Sequence, residues 1–177
     1  MKDCPLKIRL SKAAPMLGVL ATLAASHAAT ADNVASASDK AFVAKVSQGG
    51  MFEVAASKLA AEKAVAQDVK DIGTTEVHDH TLVGDKLKSI ATSLGMDFPA
   101  DLNADFQAQV DKLDSLSGSA FDNAYVASMD RIHAKDGAAF AQEARMGKNT
   151  LLRSFAAETH RIVERHIGAL HATGPEK

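Results

Sequence analysis

Thiol chemistry is all but missing from this chain. Its single cysteine, Cys4, lies near the N-terminus, and no tryptophan occurs at all. With one cysteine no intrachain disulfide can form. Aromatic residues are few, at 5%, while alanine is abundant and apolar residues as a group are near the globular average at 46%. That composition leans helical and folded rather than disordered. Gly-rich phosphate loops of the G-x-x-x-x-G-K-[ST] type are missing, and no sequence marker announces a Ser/His/Asp triad. Strand-like alternation and internal repeats are also lacking.

The N-terminal segment reads as a secretory signal. Lys2, Lys7, Arg9 and Lys12 form a basic start, followed by an apolar stretch from Ala13 to Ala25. That stretch is shorter than the roughly 20 residues a membrane helix needs. Small-residue cleavage points follow it, with Ala29-Thr30-Ala31 fitting best and Ser26-His27-Ala28 second. Cleavage after Ala31 would remove Cys4 and leave 16 basic against 21 acidic side chains, a formal charge of −5. A mildly acidic chain is a poor nucleic-acid binder. No later segment is long and apolar enough to span a bilayer. The expected organisation is a signal peptide over 1–31, a short leader over 32–37, one domain over 38–172 and a disordered tail over 173–177. A periplasmic or secreted location follows from this reading.

From Ser38 onward apolar residues recur at helical spacing. Phe42, Val46, Gly49, Glu53, Ala56 and Ala60 form the first stripe, with Ser38 and Asp39 as the expected N-cap. After a break near Ala66 to Asp68, a second stripe runs Val69, Ile72, Glu76, His80, Val83, Leu87, Ile90 and Leu94 to a C-cap at Gly95. Met96 to Ser119 reads as a long connection holding one short helix. The third long helix is expected from Ser119 to Met146, with Phe121, Tyr125, Met129, His133, Phe140 and Glu143 inward. The fourth is expected over Lys148 to His171, with Leu152, Phe155, Thr159, Val163, His166 and Leu170 inward. This pattern predicts an all-α fold, a ferritin-like four-helix bundle with a long crossover containing a short helix between the second and third long helices.

Ionisable residues on these stripes carry the functional information, because burial disfavours them unless they are paired or coordinated. Glu53, Glu76, His80, His133 and His166 are the candidate metal ligands. They offer the N/O donors that zinc, copper or iron accept. Glu76 and His80 stand four residues apart and share a face. His166 lies beyond its helix midpoint by roughly 9 Å at 1.5 Å per residue, so His160 and His166 both stay open as the closing residue. A buried Glu-His hydrogen-bond network without metal is the other reading of the same residues. The Glu-x-x-His pairs of di-iron centres are missing, and Asp130-Arg131-Ile132-His133 is the closest approximation. Catalysis therefore has no marker, and the candidate roles are metal buffering in stress protection, or an interaction with an envelope protein or a second copy.

Three smaller features read blandly. The methionines Met51, Met96, Met129 and Met146 look like core filling, and Arg145, Lys148, Arg153, Arg161 and Arg165 like a solvated face. Gly49-Gly50 inside a helix costs about 1 kcal/mol per glycine relative to alanine, which close packing or a kink would offset.

Taken together, Phe42-Val43, Gly49-Gly50-Met51-Phe52-Glu53-Val54, Asp79-His80, Ser117-Gly118 leading to Phe121-Asp122 and Tyr125, then His133 and His166, resemble the bacterial domain of unknown function 4142 family. The resemblance covers roughly Ser38 to Ala172. It implies export and a ferritin-like bundle, and it carries no biochemical role. One departure stands out: members often have a proline five residues before the last histidine, where this chain has Arg161.

Overall fold

A computed structural model of the chain describes residues 34–173. The expected signal segment, with Cys4 and both cleavage points, lies outside the described residues, as do the start of the leader and residues 174–177 of the expected tail. Five helices follow one another: α1 (Ala37–Lys63), α2 (Gln67–Ser93), α3 (Ala104–Asp114), α4 (Gly118–Met146) and α5 (Thr150–Ala172). The long helices pair as two hairpins, α1 with α2 and α4 with α5, and α1 also packs on α4 and α2 on α5. The result is an all-helical four-helix bundle with α3 in the crossover. No helix among the described residues is long and apolar enough to cross a membrane.

The inward stripes fall as the sequence pattern predicts, but the helix ends differ in instructive ways. Ser36, not Ser38, caps α1: its Oγ accepts the Asp39 N–H at 3.2 Å, while the Asp39 carboxylate accepts the Ser36 N–H at 2.7 Å. This reciprocal box satisfies two end-of-helix donors where a lone cap at Ser38 would satisfy one. The break between α1 and α2 falls at Ala64–Ala66 rather than 66–68. Here the cap comes from far away in sequence, because the Asp122 carboxylate on α4 accepts the Ala66 N–H at 2.9 Å and the Val65 N–H at 3.2 Å. Asn149 caps α5 through the N–H groups of Leu151 and Leu152, which moves that helix start from 148 to 150. Gly95, at φ +63°, takes the left-handed position beyond α2 as expected.

The core is split in two. Phe52, Ala56, Ala60, Phe121, Tyr125, Met129 and Leu170 form one apolar cluster. Phe42, Val46, Leu87, Phe140, Leu152, Phe155 and Val163 form the other. Along every long helix the switch between clusters falls at a buried ionisable residue: Glu53, Glu76 and His80, His133, or His166. Each large apolar side chain so buried contributes about 1.5–3 kcal/mol. The polar layer between the clusters gains nothing of that kind and has to be held by its own pairing.

The expected methionine core is realised only in part. Met129 is fully buried, whereas Met146 is 67% exposed. The basic set along α4, α5 and the turn between them is exposed, in keeping with a solvated face.

Two glycines of α2 respond differently to an added methyl group. At Gly73 a Cβ would stand 2.8 Å from the Ala60 Cβ and 2.9 Å from the Ala61 nitrogen and the Ser57 carbonyl oxygen, so α1 and α2 touch there backbone to backbone. At Gly84 a Cβ would meet nothing within 4 Å. We therefore expect Gly73→Ala to destabilise the fold by about 1–3 kcal/mol through overpacking, against its better helix propensity. Gly84→Ala should stabilise by about 0.5–1 kcal/mol. Urea midpoints of the two variants test this, and shifts of the same sign would contradict the packing described.

Candidate metal centre

The centre is assembled by the two hairpins. Height within a hairpin is set by the register in which its two helices pack and not by position relative to a helix's own midpoint. α4 and α5 meet at Gly137, where an added Cβ would stand 3.2 Å from the Val163 side chain. His133 lies about one turn before Gly137 and His166 about one turn after Val163, which corrects the offset expected for His166 and brings it level with His133. His160 faces outward instead, 31% exposed and 3.7 Å from Glu164.

Four side chains converge, one or two from each of three helices: Glu76 and His80 from α2, His133 from α4 and His166 from α5. All four are buried. The Glu76 Oε2 lies 3.0 Å from His80 Nε2, 3.3 Å from His133 Nε2 and 3.1 Å from His166 Nδ1. His166 Nδ1 is in turn 3.3 Å from both His80 Nε2 and His133 Nε2. A tetrahedral ion with bonds of about 2.0–2.1 Å to nitrogen and oxygen has ligand-to-ligand edges of about 3.3–3.4 Å. Five of the six edges approach that figure, and all four donor atoms lie within 4.8 Å of one another.

The outer sides of the three rings assign their protons. His133 Nδ1 donates to the Met129 carbonyl at 2.8 Å, His80 Nδ1 faces the Glu53 carboxylate at 3.0 Å, and His166 Nε2 donates to Asp79 Oδ2 at 3.0 Å. Each partner can only accept, so each neutral imidazole carries its hydrogen outward and turns a lone pair inward. Three lone pairs and a carboxylate oxygen then meet at one point. Neither oxygen of Glu76 has a hydrogen-bond partner, despite the short distances to the rings. The two observations agree: the ring axes aim at a common centre rather than at the carboxylate. Only positive charge at that centre relieves such an arrangement, either a metal ion or protons on the rings.

The protonation energetics point the same way. Burial alone would raise the Glu76 carboxyl, but the three histidines beside it, once protonated toward it, outweigh burial, with the charge of His133 adding to this, and hold the group below its ordinary value. Burial disfavours the His133 cation, yet Glu76 and Glu53 reverse this and push the imidazole up to about 9. His80 is raised too, with burial opposed and overcome by Glu53 and Glu76. Asp136, close to α1 at Gly49, is pushed up to about 7 by burial and by the charge of Glu53.

The candidate residues thus divide. Glu76, His80, His133 and His166 form the inner group, while Glu53 stands behind His80 and 3.6 Å from His133 Nε2. Asp130, the nearest thing to a di-iron carboxylate in the sequence, faces solvent and meets His171 at 3.1 Å. The inner group is a single centre among the described residues. Asp79, which orients His166, was not among the ligand candidates. Its place three residues after Glu76 on the same helical face was the available signal.

The chain belongs to the family described as Domain of unknown function (DUF4142), whose model matches residues 24–173. No curated protein and no solved structure matches it. Several residues that carried the resemblance have fold roles: Phe121 is buried in the core, Asp122 caps α2, and Tyr125 shares a hydrogen bond with Ser57 at 2.9 Å.

The pH dependence of the metal-free protein follows from these shifts. His133 contributes stability that is fully present below its unfolded value of about 6.5 and is lost as pH rises through about 9. Asp136 and Glu143, both raised to about 7, lose their protonated-state contribution between about pH 4 and 7. Glu76, lowered, contributes above about 4.5 and weakens only as pH falls below that. Urea midpoints of chelator-treated protein should therefore peak near pH 5 and fall steadily toward pH 9.5. A midpoint that rises over pH 6–9 would contradict the charge arrangement.

Proposed function

We propose that the protein holds one divalent transition-metal ion, with zinc the best match, in the His80–His133–His166–Glu76 centre, and that its role is sequestration or buffering. The observation that carries this reading is the convergence of three imidazole nitrogens and a carboxylate oxygen on one buried point, with every outer nitrogen already fixed by an acceptor. Histidine ligands braced by carboxylates and carbonyls are the usual outer layer of protein metal sites. Three nitrogens and one oxygen in one buried cluster suit zinc, whereas copper(I) favours thiolate or thioether donors.

A closed set of four protein donors favours holding an ion over activating a substrate. Catalytic zinc generally keeps one position for water or substrate, and structural zinc fills all four with side chains. For the same reason a ferroxidase role has little support: such centres use paired carboxylates bridging two metals. The basic and apolar N-terminal segment, with its small-residue cleavage points, supports work outside the cytoplasm in the cell envelope. The stress-protection role is part of this proposal. A purely structural polar layer, with an envelope partner met elsewhere on the surface, is the reading that the binding experiment opposes.

Titration of chelator-treated protein with Zn²⁺ should give one ion per chain. His80→Ala and His133→Ala should each abolish tight binding, and Asp79→Asn should weaken it by about 10–100-fold, the usual effect of losing an outer partner. Weak binding of equal strength in wild type and variants would leave the structural reading instead. Mass spectrometry of the N-terminus, on protein taken from the envelope fraction, should find Asp32 first. An intact Met1 on cytoplasmic material would contradict the location.

A further inference from the structure

A cleft of about 940 Å³ runs between α1 and α2 beneath the start of the crossover, near Phe98. Glu53 and His80 line it, although each is almost wholly buried at 2% and 3% exposure. Two glycines, Gly50 and Gly84, line the same cleft. They stand three residues before Glu53 and four residues after His80, so each sits about one helical turn away on the same face. In an antiparallel hairpin those positions are level with each other across the cleft.

Neither glycine is explained by packing. A Cβ at Gly50 or Gly84 would meet nothing within 4 Å, in contrast to Gly49, where it would fall against Asp136, and Gly73, where it would strike α1. Both φ angles are ordinary, since the positive-φ glycines are Gly95 and Gly118. A helix interior disfavours glycine, so two such positions facing one cleft leave a space that any larger side chain would fill. At its inner end the cleft meets Glu53, whose Oε1 has no hydrogen-bond partner and lies 3.6 Å from His133 Nε2. That oxygen is itself buried, between the cleft floor and a ligand nitrogen, so a small turn of the Glu53 side chain toward the cleft would let it take a cation from water before the inner donors do.

We propose that the α1–α2 cleft is the path by which the metal ion enters and leaves the buried centre, with Gly50 and Gly84 keeping it open and Glu53 passing the ion between cleft and ligands. This rests on the metal-binding reading above and adds to it a route and a relay residue. Nothing need unfold: the ion passes between two helices, and only the Glu53 and His80 side chains have to shift.

The test separates rates from affinity. Full-length chelator-treated protein is mixed with Zn²⁺ in a stopped-flow instrument, and release is followed with an excess of a fluorescent chelator. Gly50→Leu and Gly84→Leu should slow both uptake and release by roughly tenfold, a barrier change of about 1.4 kcal/mol, while the equilibrium Kd stays unchanged. Gly168→Leu, on α5 and away from the cleft with open space around its Cβ, should leave both rates unchanged. Gly50→Ala and Gly84→Ala keep the proposal testable if a leucine variant folds poorly, and should slow exchange less. Glu53→Gln should slow uptake more strongly than the glycine variants. Unchanged rates in the cleft variants, or faster release with weakened Kd, would overturn the route while the binding reading stands. A wild-type protein that takes up no Zn²⁺ would remove the binding reading itself, and the route with it.

Discussion

The interior of this bundle depends on one electrostatic constraint: three imidazoles, each with its outer nitrogen committed to an acceptor, must point lone pairs at a shared centre beside a carboxylate in the buried interior. Such a layer is unfavourable unless a cation occupies it. Protons can serve, and the raised His133 and His80 values show the fold drawing them in. A dication serves better, because it satisfies all four donors at once and needs no ring to carry an inward hydrogen. Metal and protons therefore compete for the same charge, which ties ion affinity to pH through the ordinary linkage of ligand deprotonation.

That layer also organises the fold around it. The two apolar clusters lie on either side of it, and every long helix contributes a residue to it or to its immediate support. The register of each hairpin is fixed far from the centre, by the Asp122 cap on the α1–α2 turn and the Asn149 cap on α5. Asp39 adds a link from the first turn of α1 to the α4–α5 turn, accepting the Lys148 N–H at 2.9 Å. These caps set the heights at which Glu76, His80, His133 and His166 meet. The supporting acceptors Glu53, Asp79 and the Met129 carbonyl then set the ring orientations.

The helices and their inward stripes were legible in the sequence because period 3.6 is a local signal, and each polar residue on a stripe stood out against its apolar neighbours. What was not legible was long-range. The caps at Val65 and Ala66 come from Asp122 in the other hairpin, and no local pattern announces them. The choice between His160 and His166 depended on the register in which α4 and α5 pack, fixed where Gly137 meets Val163, and on the outward face that His160 takes; counting from helix midpoints misplaced His166. The division of labour between Glu76 as an inner donor and Glu53 as an outer partner depends on side-chain direction, which spacing alone does not encode. Gly49 and Gly50 look alike in sequence, yet one lies against Asp136 and the other borders open space.

X-ray absorption at the zinc edge, on protein loaded with one equivalent of Zn²⁺, reads the central claim most directly. The expected result is a shell of four nitrogen and oxygen neighbours at about 2.0–2.1 Å, with the outer scattering of three imidazole rings. A shell of six oxygens without imidazole scattering would contradict it, since the ion would then lie on the surface while the histidines held only protons.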